Sequence, residues 1–257
     1  MFPLYRQVAG CAILAAASCA HAALYDEIQV YDDSLNAPGE FGLETHLNTT
    51  PQGRRTPDWP GEITPHHGTR LTAEFSYGLT RTLEAGLYLP TLLDAQGTYY
   101  FAGPKLRLKW VPQAAPDGGW FYGLNFELEK LDRRFEESSM GIEVRPIVGW
   151  RGRDWFFATN PVLGYSLDRG YRRGGMDFAP SLKVTRRIGD GMAAGVEAYS
   201  ELGKLAQWAP SPEQQHTLYA VMDIERGDWA FNVGIGRGLN PQTDRWTIKG
   251  IIEFPFR

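Results

Sequence analysis

The chain has 257 residues, with 26 Lys and Arg against 30 Asp and Glu, a formal net charge of -4 and a mean hydropathy of -0.34. No basic excess invites nucleic acid, and past the N-terminus no run approaches the ~18 consecutive apolar residues of a membrane helix. Both cysteines, Cys11 and Cys19, fall in the first 22 residues, which excludes disulfides as the source of stability in an oxidising compartment.

Residues 1–22 carry Arg6, an apolar stretch from Val8 to Ala17 and the small-residue pattern Ala20-His21-Ala22. They read as a secretory signal peptide. Ala16, three positions before Cys19, is not the large aliphatic that lipid attachment at Cys19 expects. Residues 23–39 are acidic and irregular, with Asp26, Glu27, Asp32 and Asp33 around Ile28-Gln29-Val30. They read as a periplasmic N-terminal segment or a small plug.

From Glu40 the chain alternates by two, with Phe41, Leu43, Thr45 and Leu47 on one side and Glu40, Glu44, His46 and Asn48 on the other. Such alternation presents two different solvents to the two faces of a strand. Thr49 to Gly68, with four prolines and three glycines, reads as a long loop. The next rows are Arg70 to Leu79, Leu83 to Leu89, Tyr100 to Trp110, Trp120 to Lys130, Gly141 to Trp150 and Trp155 to Tyr165. Asp177 to Thr185, Met192 to Glu201, Thr217 to Ile224, Trp229 to Gly236 and Trp246 to Phe256 complete twelve expected strands. In Trp229 to Gly236 every odd position is large and apolar, and every even one is small or polar.

Connections alternate in length, which is the habit of bacterial barrels with short periplasmic turns and longer extracellular loops. Thr80 to Thr82, Arg151 to Asp154, Arg186 to Gly191 and Glu225 to Asp228 are short, and Val111 to Gly119 is the exception. Trp110, Trp120, Trp150, Trp155 and Trp229 stand at the boundaries of these turns and form an expected aromatic girdle at the headgroup level. The fold class expected is all-β, a transmembrane antiparallel up-and-down barrel of about twelve strands over residues 40–257, in the outer membrane of a Gram-negative bacterium.

With the apolar row facing lipid, the polar row lines the lumen. Its candidates for lumen and selectivity residues are Glu44, His46, Arg70, Glu74, Glu84, Lys105, Arg107, Lys109, Glu127, Glu129, Glu143 and Arg145. A soluble core of this size would bury so many charges only at severe desolvation cost. Lys105, Arg107 and Lys109 form a basic ladder on one face, and Glu84, Glu127 and Glu129 on the flanking strands are its expected ion-pair partners. Such charges either brace the wall or set the selectivity of a constriction.

No catalytic residue, metal or cofactor is expected. His46 has no serine nucleophile in view, His66 and His67 are expected to point apart in an extended chain, and His216 shows no partner in sequence. The loops 132–137 and 168–173 carry clustered arginines, each with an aromatic, suited to lipopolysaccharide phosphates.

Several stretches carry a resemblance to a known family: Ser76-Tyr77-Gly78-Leu79-Thr80, Leu83-Glu84-Ala85-Gly86-Leu87-Tyr88-Leu89-Pro90 and Gly103-Pro104-Lys105-Leu106-Arg107-Leu108-Lys109, with Glu27-Ile28-Gln29-Val30-Tyr31 and Asn160-Pro161-Val162-Leu163. In these the chain resembles the outer-membrane proteins grouped under the meta-pathway of phenol degradation. The resemblance implies an outer-membrane barrel passing small, including aromatic, organic molecules, and brings no catalytic residues. The C-terminus departs from the usual assembly signal, because Pro255 interrupts the strand and Arg257 follows Phe256.

The function expected is therefore an outer-membrane channel or transporter for small solutes. Its expected partners are outer-membrane lipid and lipopolysaccharide, the barrel-insertion machinery and a small-molecule solute. A closed barrel whose loops bind a partner or lipopolysaccharide is the alternative. An outer-membrane hydrolase would need a Ser or Asp paired with His46 or His216, and a soluble periplasmic β-protein is the remaining reading.

Overall fold

The computed structural model describes residues 27–172 and 174–254. The signal-peptide reading of residues 1–22, together with positions 23–26, Arg173, Pro255, Phe256 and Arg257, lies outside the described residues. The described chain forms one antiparallel sheet with twelve long strands. They are β1 (Phe41–Gln52), β2 (Thr69–Gly78), β3 (Leu83–Leu93), β4 (Lys105–Gln113), β5 (Gly119–Lys130), β6 (Met140–Arg151), β7 (Trp155–Ser166), β8 (Asp177–Gly189), β9 (Met192–Glu201), β10 (Gln215–Arg226), β11 (Trp229–Gly238) and β12 (Trp246–Phe254). Each pairs with its neighbours in sequence, and β12 pairs with β1 through eight residue pairs that include Glu44 with Glu253 and Asn48 with Lys249. Among the described residues, closure leaves none of the twelve long strands at a free sheet edge, the condition for a sheet to cross lipid.

The side-chain rows divide as the alternation requires. On β4 and β5, Leu106, Leu108, Phe126 and Leu128 are exposed to the outside, whereas Lys105, Arg107, Lys109, Asn125 and Glu127 are buried. Leu71, Phe75, Val196, Leu218, Val233, Ile235 and Ile248 extend the exposed apolar belt around the wall. An apolar belt with a charged interior is the reverse of a water-soluble protein, and hydrocarbon outside is the solvent that stabilises it.

The connections at one end are 79–82, 114–118, 152–154, 190–191 and 227–228, two to five residues each. At the other end 53–68, 94–104, 131–139, 167–176, 202–214 and 239–245 run from seven to sixteen. The exceptional turn disappears because β4 continues to Gln113, past the expected Trp110. Asp190-Gly191 closes its turn with Gly191 at φ 60, a left-handed geometry that glycine adopts without steric cost.

One expected strand is broken. Tyr100 to Trp110 is not continuous: residues 99–101 fold back on the end of β3, and β4 restarts at Lys105. The cause is Gly103-Pro104. Gly103 sits at φ 123, where a Cβ would lie 2.1 Å from the Lys130 carbonyl oxygen, and Pro104 has no N–H for the ladder. The loop 202–214 also contains a small hairpin, Gly203–Lys204 against Gln207–Trp208, which extends from β8 through Lys204 and Asp177.

Candidate functional site

The lumen wall is built around the three cations of β4. Arg107 lies directly opposite Gly86 on β3, and a Cβ at that glycine would stand 2.7 Å from its Nε. The missing side chain lets the guanidinium cross the wall to Glu84 at 2.6 Å and Glu74 at 2.8 Å. Lys105 meets Glu127 at 3.1 Å and Glu27 at 3.8 Å. Glu129 is its register partner on β5. Lys109, opposite Glu84 and Asn125, donates to the Ser34 carbonyl at 2.8 Å. On β6, Arg145 pairs with Glu143 at 2.7 Å. A second group on the far wall joins Lys249 to Glu197, and Lys183 to Asp223 at 2.7 Å and Glu197 at 3.5 Å.

Pairs of this depth are stabilising only as sets, because removing one member strands its partner's charge. We expect Arg107→Met to destabilise the folded barrel by about 3–5 kcal/mol, since it leaves Glu74 and Glu84 short of their shared cation. Urea titration of unfolding from lipid vesicles measures this, and a change below ~1 kcal/mol would show a hydrated pair of little weight.

Across this wall runs the N-terminal segment, residues 27–36. Asn160 on β7 clamps Tyr31 in the manner of a paired strand, its Oδ1 accepting from the Tyr31 N–H at 2.7 Å and its Nδ2 donating to the Tyr31 carbonyl at 3.1 Å. The Tyr31 hydroxyl meets that of Tyr88 at 2.5 Å, and Arg145 stands 4.3 Å from its ring centroid. Lys249 donates to the Ile28 carbonyl at 2.9 Å, and Asp33 joins Arg151 at 2.6 Å and the Ala115 N–H at 2.7 Å. Asn36 is held by Glu84 and Ser76. The apolar residues of the segment have matching seats: Val30 and Tyr31 pack with Ala115, Phe121, Ile147 and Ala158, and Ile28 with Tyr219 and Val221.

A cavity of about 750 Å³ lies between the segment and the short-turn end, lined by both signs of charge, among them Glu84, Arg107, Lys109, Arg151, Lys183 and Asp223. At the long-loop end Leu92, Ala102, Leu131 and Phe135 pack with Ile63 and Tyr100, and the Trp59 indole donates to the Arg133 carbonyl at 2.6 Å. The loops 53–68, 94–104 and 131–139 thus pack on one another at that end.

The remaining expected residues are placed as follows. Arg70 lines a small polar nook with Asn48, Thr50, Thr217, Tyr219, Asp244 and Thr247. Trp110, Trp120, Trp150, Trp155 and Trp229 are all exposed on the outer wall at the short-turn end. His46 is fully buried between Glu44 at 2.9 Å and Glu74 at 3.3 Å. His66 and His67 do not point apart: their rings pack edge-on with centroids 4.0 Å apart, because His67 adopts a left-handed φ of 59. His216 does have partners, Ser200 Oγ at 2.9 Å from Nδ1 and the Gln214 amide oxygen at 3.3 Å from Nε2. Cross-strand register put Ser200 directly opposite it, which sequence alone does not give. In the loops, Arg133 sits over Tyr171 at 5.2 Å and Arg134 over Tyr100 at 5.0 Å. Asp132 is held below its ordinary pKa by the Arg134 guanidinium and N–H that it accepts.

The segment's contacts were missed in the sequence. The sequence shows Glu27 to Val30 as part of a segment or small plug and Asn160 as part of a resemblance, and neither reading says where the segment docks.

Among solved structures, the chain is similar to the COG4313 outer membrane channel from Pseudomonas putida F1, with a TM-score of 0.61 and 10% identity over 90% of this chain and 100% of that one. It is also similar to the KdgM porin, with a TM-score of 0.54 and 9% identity over 84% and 99% of the two chains. The KdgM porin in complex with disordered oligogalacturonate gives a TM-score of 0.51 and 9% identity over 85% and 100%. No family model matches the chain, and no curated protein matches it. At these identities the likeness is one of fold, and the fold is the closed twelve-stranded antiparallel barrel of Gram-negative outer-membrane proteins.

Proposed function

We propose that the protein is an outer-membrane channel for small solutes, gated by its own N-terminal segment. The observation that carries this reading is the charged lumen with a cavity of about 750 Å³ beneath residues 27–36. Wall charges held in pairs need water or partners, and the channel and porin descriptions of the similar structures support a conducting role. Lys105, Arg107, Lys109, Glu74, Glu84 and Arg145 would set selectivity, since both signs face the same narrow space. An aromatic solute is the class that the phenol-degradation resemblance implies. Residues 1–22 would direct export and 23–39 would serve as the segment that enters the barrel.

The test is permeation. Reconstituted protein should support liposome swelling with small polar and phenolic solutes, and should give discrete conductance in planar bilayers. Folded barrels without either would overturn the proposal.

A further inference from the structure

Two carboxylates, Glu44 on β1 and Glu74 on β2, stand directly opposite each other in register on the lumen face. Like charges so placed repel, and the fold keeps both while directing His46 Nε2 between them, 2.9 Å from Glu44 Oε1 and 3.3 Å from Glu74 Oε2. We propose that Glu44, His46 and Glu74 form a binding site for a divalent cation of the zinc type.

Three features carry this further than an ion pair. The ligand atoms all lie within 4.8 Å of one another, and the two nitrogen-to-oxygen separations are close to the ~3.3 Å edge that a tetrahedral ion with bonds of about 2.0 Å imposes on its ligands. Both carboxylates have a second donor that fixes their orientation: Gln29 Nε2 donates to the same Glu44 oxygen, Oε1, at 2.9 Å, and Arg107 holds the other oxygen of Glu74 at 2.8 Å. Such outer partners are what orient metal ligands. Finally, Thr72, directly opposite His46 and fully buried, has a hydroxyl without a protein partner, as does His46 Nδ1. Buried polar atoms left so call for a partner that the protein itself does not supply. One imidazole, two carboxylates and no thiol select zinc or a similar ion over calcium, which takes six to eight oxygens.

Because Gln29 belongs to the N-terminal segment, the ion would tie that segment to β1 and β2. The binding site stands without the channel reading; only this coupling rests on it.

The experiment is titration of the folded, metal-stripped barrel in detergent with cobalt, read by its visible absorption, and with zinc by calorimetry. Saturable uptake of one ion per chain is expected, abolished in His46→Gln and weakened about tenfold or more in Gln29→Ala. Heat-modifiable mobility confirms that each variant is folded. Should His46→Gln fail to fold, Glu44→Gln, whose side chain is 20% exposed, decides in its place. No uptake, or uptake unchanged by these substitutions, would leave an imidazolium ion pair only and overturn the site. Zinc uptake without any effect on conductance would keep the site and reject the coupling.

Discussion

Deleting residues 27–36 should raise conductance several-fold while leaving a folded, heat-modifiable barrel. The wall does not depend on the segment for its backbone hydrogen bonds, because all twelve strands pair with one another and β12 closes on β1. What the segment supplies is occupancy. It crosses the lumen between Asn160 on β7 and Glu84 on β3, and Tyr31 projects onto Tyr88. Its removal exposes Phe121, Ile147, Tyr219 and Val221 to lumen water, a loss of apolar burial confined to two small clusters. Lys109, Lys249 and Arg151 would lose the Ser34 and Ile28 carbonyls and the Asp33 carboxylate, and water can hydrate all three in an opened pore. Planar-bilayer recording of the full chain beside the deletion reads the result. Equal conductance would move the barrier to the wall pairs around Arg107 or to the loops at the mouth, and the gate would then lie elsewhere.

The alternation along each strand made the wall legible, since a period of two on a closed sheet fixes which row meets lipid before any contact is known. Turn residues carried the connections for the same local reason. Register was not legible, and the ion pairs depend on it. Arg107 reaches Glu74, two strands away, only because Gly86 between them has no side chain, a fact that no property of Arg107 or Glu74 announces. The break at Gly103-Pro104 was masked by an unbroken run of apolar and basic residues on either side. Long-range contacts were hidden most deeply: Tyr31 and Asn160 lie 129 residues apart, and the Ile28-Gln29-Val30 alternation shows only that the segment has an apolar edge, with nothing to say where it docks.

The assignment of faces has its sharpest test on β11. Val233 is 43% exposed on the outer wall, midway along the strand and opposite Met222 and Gly250. Val233→Arg should therefore cost about 2–4 kcal/mol, the price of an arginine near the bilayer midplane. Asn232 faces inward, donating to Asp223 at 2.6 Å and to Glu197 at 3.4 Å. An arginine there meets lumen water beside Asp223 and Glu197, whose carboxylates already pair with Lys183 and Lys249, and hydration there spares it the cost of entering hydrocarbon. Asn232→Arg should be close to neutral in stability and should shift ion selectivity toward anions instead. Unfolding in urea from lipid vesicles reads the first difference, and reversal potentials in a salt gradient read the second. Equal costs at the two positions would mean that neighbouring residues share a solvent, which a two-faced wall in a membrane forbids.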